Sequence, residues 1–503
     1  MRAVIDASRM PVIVATGQVL ERDSIVQATD LAVRAAQLAL ADAGAVASRV
    51  QRVTMLSTLF SAASPTVATD VATRLGLRDA QCETTSVGGN TPPWLVTRAA
   101  EDIARGNLDV TLIVGAEAAR SERVSASGGG PGSGVRFRPN QSDTDGGDAD
   151  PVVGGSEKGY VSRAEVKAGL TYPTVVYPLF ESVLASRAGR SFAEQRASVA
   201  ELMARFTDVA ADHPCAWFPT RATADELAMP TPDNRLISEP YTKRMNAFPF
   251  VDQAAALVMC SLAVARDAGV ADRAIFVWAG ADAYEVRLPT ARPDLGRAVG
   301  LQAAFARTFA AAGVGADDMS AFDFYCCFPS AVEMAADAVG IALDDPRGLT
   351  VTGGLPYFGG PGNNYMTHGI ATMAEKLRDS GGLGLCSSPG GFMTKHGVTL
   401  LGATPPTDGF RRGDTEADQA VIDASALTVA VDDDVDGDAQ VVGNTVRYAT
   451  DGSVDGAPMI GMLADGRRVA AEADPALLAD LAGRLLIGET VHVRSDPPVW
   501  TFA

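Results

Sequence analysis

This chain of 503 residues is poor in the features that mark secreted, membrane-spanning, metal-dependent and nucleic-acid-binding proteins. Its six cysteines, Cys82, Cys215, Cys260, Cys326, Cys327 and Cys386, include no CxxC spacing. In so long a chain they read as reduced thiols, which excludes a small disulfide scaffold. Histidine is scarcer still. The four at 213, 368, 396 and 492 form no pair with zinc-ligand spacing, so no metal site is expected. No run of about 18 apolar residues occurs, and no membrane-spanning helix is expected. Met1 to Ser8 lack the apolar core of a signal peptide. With reduced thiols, the expectation is a cytoplasmic protein. Basic residues are in deficit, 42 Lys and Arg against 61 Asp and Glu, for a net charge of −19. So acidic a chain argues against nucleic acid and anionic membrane as partners.

What is present reads as a large globular protein. Hydrophobic residues make up 47% and charged residues 20%, which suits an extensive core, and the length suggests about three units of ~100–200 residues. Pro11 to Thr16 reads as a buried strand, Ser24 to Ala43 as a helix with an alanine-rich face stopped at Gly44, and Val53 to Thr58 as a second strand. Thr91-Pro92-Pro93 opens a helix that Thr91 can cap, running to Gly106, and a strand follows from Asp109. This βαβα order predicts a layered α/β domain. Residues from about Ser121 to Lys158 are rich in Gly, Ser, Asp and Pro and read as a long loop, either a lid over a ligand or a solvated insertion. A helix is expected at Ser191–Asp212 and a return to the first layer at Asp252–Cys260. A second α/β half starts near Asp272, with helices at Leu301–Ala312, Pro329–Val339 and after Asn364, and a last strand near Val398. The two halves read as a duplicated fold.

Past Pro405 the composition changes. From there to Ala503 the chain has 18 acidic residues, seven arginines and no lysine. Apolar and polar residues alternate, as in Thr445-Val-Arg-Tyr448 and Glu489 to Arg494, between turns such as Asp451-Gly452 and Asp465-Gly466. This predicts a small all-β domain, barrel-like and of the oligonucleotide/oligosaccharide-binding (OB) type, with a short helix near Pro475–Ala482. Its acidity argues against a nucleic-acid role, because phosphate contacts need Lys and Arg. The expected domains are 1–265, with an insertion at about 121–240, then 266–404 and 405–503.

Two runs carry the most information about chemistry, Asp323-Phe-Tyr-Cys-Cys-Phe-Pro-Ser-Ala331 and Gly353-Gly-Leu-Pro-Tyr-Phe-Gly-Gly-Pro-Gly-Asn-Asn364. With Gly106 to Ser121, Val251 to Val258 and Gly390-Gly-Phe-Met-Thr-Lys-His-Gly397, they resemble, in order, segments of the thiolase superfamily. The likeness is to acetyl-CoA acetyltransferases akin to sterol-carrier-protein thiolases, and the added C-terminal domain resembles the mycobacterial type. It covers residues from about 10 to 404. It implies a duplicated α/β fold in αβαβα layers and a coenzyme A thioester as substrate or ligand. It further implies no tightly bound cofactor, and a monomer or homodimer.

In that family a cysteine at a helix N-terminus takes up the acyl group, a second cysteine moves the α-carbon proton, and a histidine and an asparagine-bound water hold the thioester oxygen. Here the nucleophile position falls on Gly89 or, one residue on, Asn90, and Cys82 lies well upstream. The second loop reads Tyr325-Cys326-Cys327-Phe328 where the family has Asn-Glu-Ala-Phe or His-Asp-Cys-Phe. Cys327 matches the cysteine of the latter version, Tyr325 replaces the water-orienting residue, and Cys326 reads as core. Gly360 stands where Gly-His-Pro would place its histidine; Tyr357 and Asn364 lie close by. Relatives that cleave β-hydroxyacyl-CoA by retro-aldol chemistry also use tyrosines and lack the usual cysteine, which makes Tyr357 an acid/base candidate or a packing ring. Ser388 aligns near the catalytic cysteine of the fourth loop, with Cys386 two residues early, and Gly390 and Gly391 allow close backbone approach. His396 reads as a base or a structural histidine, as does His368.

The catalytic candidates are Cys327, Tyr325, Tyr357 and His396. The substrate-binding candidates are Gly89, Asn90, Gly360, Asn364, Ser388, Gly390 and Gly391. The expected function is a thiolase-like acyl-CoA-handling protein, nominally an acetyl-CoA acetyltransferase, with thiolysis weak or absent. The alternatives are a retro-aldol C–C lyase and a catalytically silent CoA- or lipid-binding protein.

Overall fold

Val12 and Val14 pack outward against Leu31, while Ile13 between them packs inward with Val96. Successive strand residues face opposite sides, so this one strand serves two cores and must be apolar on both faces. The same holds across the sheet: Val110–Ala118, Asp252–Ser261 and Lys395–Gly402 are buried throughout. The computed structural model describes residues 6–126, 149–154, 160–430, 435–494 and 499–502. The expected loop over 121–158 lies largely outside the described residues.

The strands run from Ala321–Phe324 through Leu383–Gly390, Lys395–Gly402, Ile275–Tyr284, Pro11–Leu20, Asp252–Ser261, Val110–Ala118, Arg52–Met55 and Gln81–Thr85 to Val152–Val153. The halves join where Val12 and Ile13 pair with Phe276 and Ile275. Each half repeats one pattern of pairing. Arg52–Met55 is parallel to Val110–Ala118, which is antiparallel to Asp252–Ser261, itself antiparallel to Pro11–Leu20. In the second half Ala321–Phe324, Leu383–Gly390, Lys395–Gly402 and Ile275–Tyr284 repeat those relations in the same order. The duplication is thus a fact of hydrogen-bond register.

Helices Thr91–Arg105 and Tyr365–Ser380 each pack against strands of both halves and form the central layer. Ala28–Ala43 covers the outer face of the first half and Val299–Ala312 that of the second, completing αβαβα layers. The alanine-rich face of Ala28–Ala43 has a direct cause: any side chain on Gly17 would collide with the Ala35 carbonyl. That helix starts at Ala28 instead of Ser24, because Glu21 accepts from the Asp23 and Ser24 N–H groups and holds them in a turn. Among the described residues no helix is long and apolar enough to cross a membrane, and no group of His, Cys, Asp and Glu could hold a metal.

The C-terminal strands close a barrel in the order Asp436–Asn444, Met459–Leu463, Arg468–Ala473, Val499–Phe502, Thr490–Arg494 and back to the first. Arg468–Ala473 and Val499–Phe502 run parallel. This is the arrangement of an OB-like barrel. Trp500 fills its centre and donates Nε1–H to the Ala457 carbonyl at 2.9 Å. The expected helix near Pro475 is a 3₁₀ turn, Pro475–Asp480, capped by Asp474. The barrel docks on its own core. Arg447–Tyr448 pairs with Leu236–Ser238 from the first half, and the buried Arg468 donates to the Pro293 carbonyl at 3.0 Å.

His368, on helix Tyr365–Ser380, and His213 flank Phe358, with ring centroids 5.1 and 4.9 Å away. His213 meets Thr372 at 2.9 Å and His368 meets Gln18 at 2.8 Å. Burial pushes His213 down to about 4 and His368 down to about 3. Both folded values lie below the unfolded histidine value of about 6.5, so the unfolded chain takes up protons first as pH falls. The stability these neutral rings carry is complete above about 6.5 and is lost on acidification through the folded values. The double substitution His213→Gln/His368→Gln is expected to flatten the fall of Tm between pH 6.5 and 4, measured by differential scanning fluorimetry across pH.

Candidate active site

The Thr91–Arg105 helix begins differently from its sequence expectation. Asn90 takes the cap position without a side-chain bond, and Thr91 is the first helical residue. The Thr91 hydroxyl turns back to donate to the Gly88 carbonyl at 2.6 Å. Pro92 and Pro93 have no N–H, and the Thr91 and Trp94 N–H groups bond to Gly88 and Asn90. The first turn therefore offers no donor to a ligand. The unclaimed donors are one step earlier: the Gly89 and Asn90 N–H groups have no acceptor among the described residues.

Three further loops converge on Gly88-Gly89-Asn90, two of them beyond the carboxyl ends of strands Ala321–Phe324 and Leu383–Gly390, where ligands of open α/β sheets bind. The Gly88 N–H donates to Asn363 Oδ1 at 2.9 Å. Ser388 Oγ donates to the Gly89 carbonyl at 2.7 Å, and Lys395 Nζ to the Val87 carbonyl at 2.6 Å. A Cβ on Gly89 would lie 2.6 Å from the Pro389 carbonyl oxygen and 3.0 Å from Tyr325 Oη. Any side chain at position 89 would meet a phenol and a backbone oxygen.

Along the Tyr325–Phe328 loop neighbouring residues separate. Cys326 turns toward Met203, Sγ to Sδ 3.8 Å, and packs as core. Cys327 turns to Tyr177, on helix Pro173–Arg187, whose hydroxyl lies in hydrogen-bonding contact with its sulfur. That hydroxyl also donates to the Gly391 carbonyl at 3.2 Å and accepts from the Met393 N–H at 3.3 Å. The Tyr177 ring stacks on Phe328 at 4.6 Å. Among the described residues Met393 alone of the non-glycines has positive φ, 50°; the turn that aims its N–H at Tyr177 holds a conformation L-residues avoid. Burial pushes the Cys327 thiol up to about 12, against the pull of the Tyr177 hydroxyl. Burial, and then proximity to Cys327, raise the Tyr325 and Tyr177 phenols. At neutral pH all three keep their protons.

The structure does not bring every candidate here. His396 follows Lys395 on one strand and so faces the other way, 3.3 Å from Glu285, which binds the Gly300 N–H at 2.6 Å. Tyr357 lies by Cys326 and Arg244, its hydroxyl buried without a partner. The Gly360 N–H is taken by the Phe248 carbonyl at 2.8 Å. Asn364 Nδ2 donates to the Gly115 carbonyl at 2.8 Å, bracing the loop against the first half. Gly390 packs against Asn90, and Gly391, at φ 66°, against Tyr160. Asp323, which opens the most informative motif, is scaffolding. It accepts from Val351 N–H and Thr350 Oγ1, each at 2.9 Å.

Tyr177, Lys395 and Asn363 were not read from the sequence. Tyr177 lies far from any motif. Strand alternation offered a signal for the second, since a lysine facing the loop excludes the adjacent histidine. Gly89→Ala is expected to cost about 1–3 kcal/mol, because the Pro389 carbonyl is backbone and cannot swing away; a lower urea midpoint at unchanged slope would register it.

No protein-family model and no curated protein matches the chain. Among solved structures, a monomeric SCP2-thiolase-like protein type 1 from Mycobacterium smegmatis is 32% identical, over 99% of this chain and 100% of that one, with a TM-score of 0.83. An Ltp2-ChsH2(DUF35) aldolase matches 79% of this chain and 98% of its own at 18% identity, TM-score 0.59. The Acat5 thiolase from Ascaris suum, in complex with coenzyme A, matches 78% of this chain and 99% of its own at 15% identity, TM-score 0.55. The last two likenesses show the fold. The full-length match to the first, with the repeated strand register and the added barrel, means that the chain belongs to the thiolase superfamily, among its SCP2-thiolase-like proteins.

Proposed function

We propose that the protein binds an acyl-CoA thioester at the Gly89–Tyr325–Cys327 cluster and breaks the Cα–Cβ bond of a β-hydroxyacyl-CoA without forming an acyl-cysteine. The observation that carries this is Tyr325 Oη, 3.0 Å from where a Gly89 Cβ would stand. Acyl transfer to the enzyme at that position has neither a nucleophile nor room for one. Thiolysis, the nominal acetyl-CoA acetyltransferase activity, is then weak or absent. Coenzyme A bound to the Ascaris thiolase and the aldolase activity of the other neighbour support the ligand class and the bond class.

The chemistry assigns roles as follows. The β-hydroxyl loses its proton to an ionised member of the Tyr325–Cys327–Tyr177 cluster, the Cα–Cβ pair moves to the thioester as an enolate, and an aldehyde or ketone departs. The Gly89 and Asn90 N–H groups hold the enolate oxygen. Cα then takes a proton from the same cluster, which returns to its starting state. Asn364, Ser388, Gly390 and Gly391 shape the walls. Tyr357 and His396, through burial elsewhere, act on structure. The protein works as a monomer, like its Mycobacterium smegmatis relative.

Catalytic silence is the second reading. One observation favours it: at neutral pH the thiol and both phenols are protonated, so the ready base is rare.

Purified protein is expected to show no thiolysis of acetoacetyl-CoA above the Cys327→Ala background, a thermal shift with CoA, and release of acetyl-CoA from a 3-hydroxyacyl-CoA. Thiolysis abolished by Cys327→Ala would overturn the proposal; a CoA shift without cleavage of any 3-hydroxyacyl-CoA would establish silence. Because the Cys327 thiol sits at about 12, its ionised fraction grows about tenfold per pH unit below that value. A cleavage rate using it as base is expected to climb from pH 7 toward 10 without a plateau in a pH–rate profile.

A further inference from the structure

An asparagine at a helix cap ordinarily spends its carboxamide on the N–H of the second or third helical residue. In helix Thr91–Arg105 those residues are Pro92 and Pro93, which have no N–H. Asn90 therefore has no capping bond to make, and none is made. Its side chain is nonetheless kept from solvent: the residue is 9% exposed, and Oδ1 is buried without a partner. Two glycines make room for it. A Cβ on Gly88 would collide with Oδ1, and one on Gly390 would lie 2.5 Å from it. The oxygen thus rests between two Cα–H groups, which sets the carboxamide's orientation, since Nδ2 in that place would press its hydrogens against theirs. Nδ2 is then the arm that points away from the glycine pair. Of the two polar atoms it is the one not sealed off, and its N–H donors have no acceptor among the described residues. The Gly89 and Asn90 backbone N–H groups, also unclaimed, belong to the same turn, which Tyr325 reaches from the other half. Buried polar groups are paired as a rule. A carboxamide held without a partner beside unclaimed N–H groups is organised for an acceptor that arrives with a ligand.

We propose that the Asn90 side chain is catalytic: Nδ2–H donates to the thioester oxygen as that oxygen becomes an enolate, joining the Gly89 and Asn90 backbone N–H groups. This rests on the acyl-CoA reading above and adds a donor to it. Gly360 stands where the family's histidine donor would be, its N–H spent on the Phe248 carbonyl, so the extra donor comes from the other half of the molecule. Asn90 neither bonds covalently to substrate nor changes protonation state. The electron pair of the broken Cα–H or Cα–Cβ bond becomes the enolate. The proton taken from Cα–H or from the β-hydroxyl is held by the ionised member of the Tyr325–Cys327–Tyr177 cluster and then given to Cα.

Acetyl-CoA isolates enolate formation, because it has no Cβ to lose. It is incubated with the full-length protein in D₂O, and α-deuterium uptake is followed by mass spectrometry for wild type, Asn90→Ala and Asn90→Asp. Loss of one oxyanion donor typically costs on the order of 10²-fold in rate, so Asn90→Ala is expected to slow exchange by about that factor. The thermal shift with CoA, which has no thioester oxygen, is expected to stay unchanged. Asn90→Asp separates chemistry from packing. Its carboxylate has the shape of the carboxamide and suits a helix N-terminus, so packing alone makes it milder than Asn90→Ala. A lost donor replaced by negative charge beside an enolate makes it slower than Asn90→Ala, which is the expected order. Exchange at the wild-type rate in Asn90→Ala overturns the role of Asn90 and leaves the acyl-CoA reading standing. Faster exchange in Asn90→Asp than in Asn90→Ala, or loss of the CoA shift in Asn90→Ala, gives Asn90 a structural or binding part and also overturns the role. Absence of exchange in the wild type sinks the acyl-CoA enolate reading and the Asn90 role with it.

Discussion

Asn363 spans the seam between the two halves: it accepts from the Gly88 N–H at 2.9 Å and donates to the Ser57 carbonyl at 2.7 Å. Its neighbour Asn364 reaches the Gly115 carbonyl on the opposite half. These buried amides replace water for backbone groups that the loops before both central helices would otherwise leave unpaired. They fix where the Gly88–Gly89 loop stands relative to the Tyr325–Phe328 loop. The site exists only because that distance is fixed, since Tyr325 comes from one half and Gly89 from the other. Glycine at 89 and tyrosine at 325 are therefore one decision: either residue alone would clash or leave a void.

Once the phenol fills that place, the electrostatics follow. A nucleophilic thiolate needs an accessible sulfur and a helix terminus rich in N–H donors. Here prolines remove two of those donors and the remaining thiol is buried against another phenol. The cluster keeps its protons at neutral pH. The same low-dielectric setting that lifts the thiol and phenols strengthens each hydrogen bond made within it.

The barrel belongs to the same structure and is no loose appendage. It shares a small sheet with Leu236–Ser238, and Gly443 packs against Leu179 on the helix that carries Tyr177. The docking of the C-terminal strands thus helps hold the tyrosine that contacts Cys327. Its surface remains acidic, and nothing in its packing requires a nucleic acid.

By itself the sequence determined the elements. Two-sided apolar strands, glycine stops and prolines in helix first turns are local, so the α/β halves and the alternating barrel strands were legible before any coordinates. So was the glycine at 89, where the family resemblance leads one to expect a nucleophile. What the tertiary structure alone decided is which side chains share space. His396 was chosen from the sequence for its chemistry and turned away by strand alternation; Tyr357 was separated from Cys327 by the turn that carries it. Tyr177 and Lys395 entered because packing brings a distant helix and a hairpin to the glycine loop. A motif records spacing along the chain, whereas protonation and reactivity depend on burial and on neighbours hundreds of residues away, which only the assembled layers define.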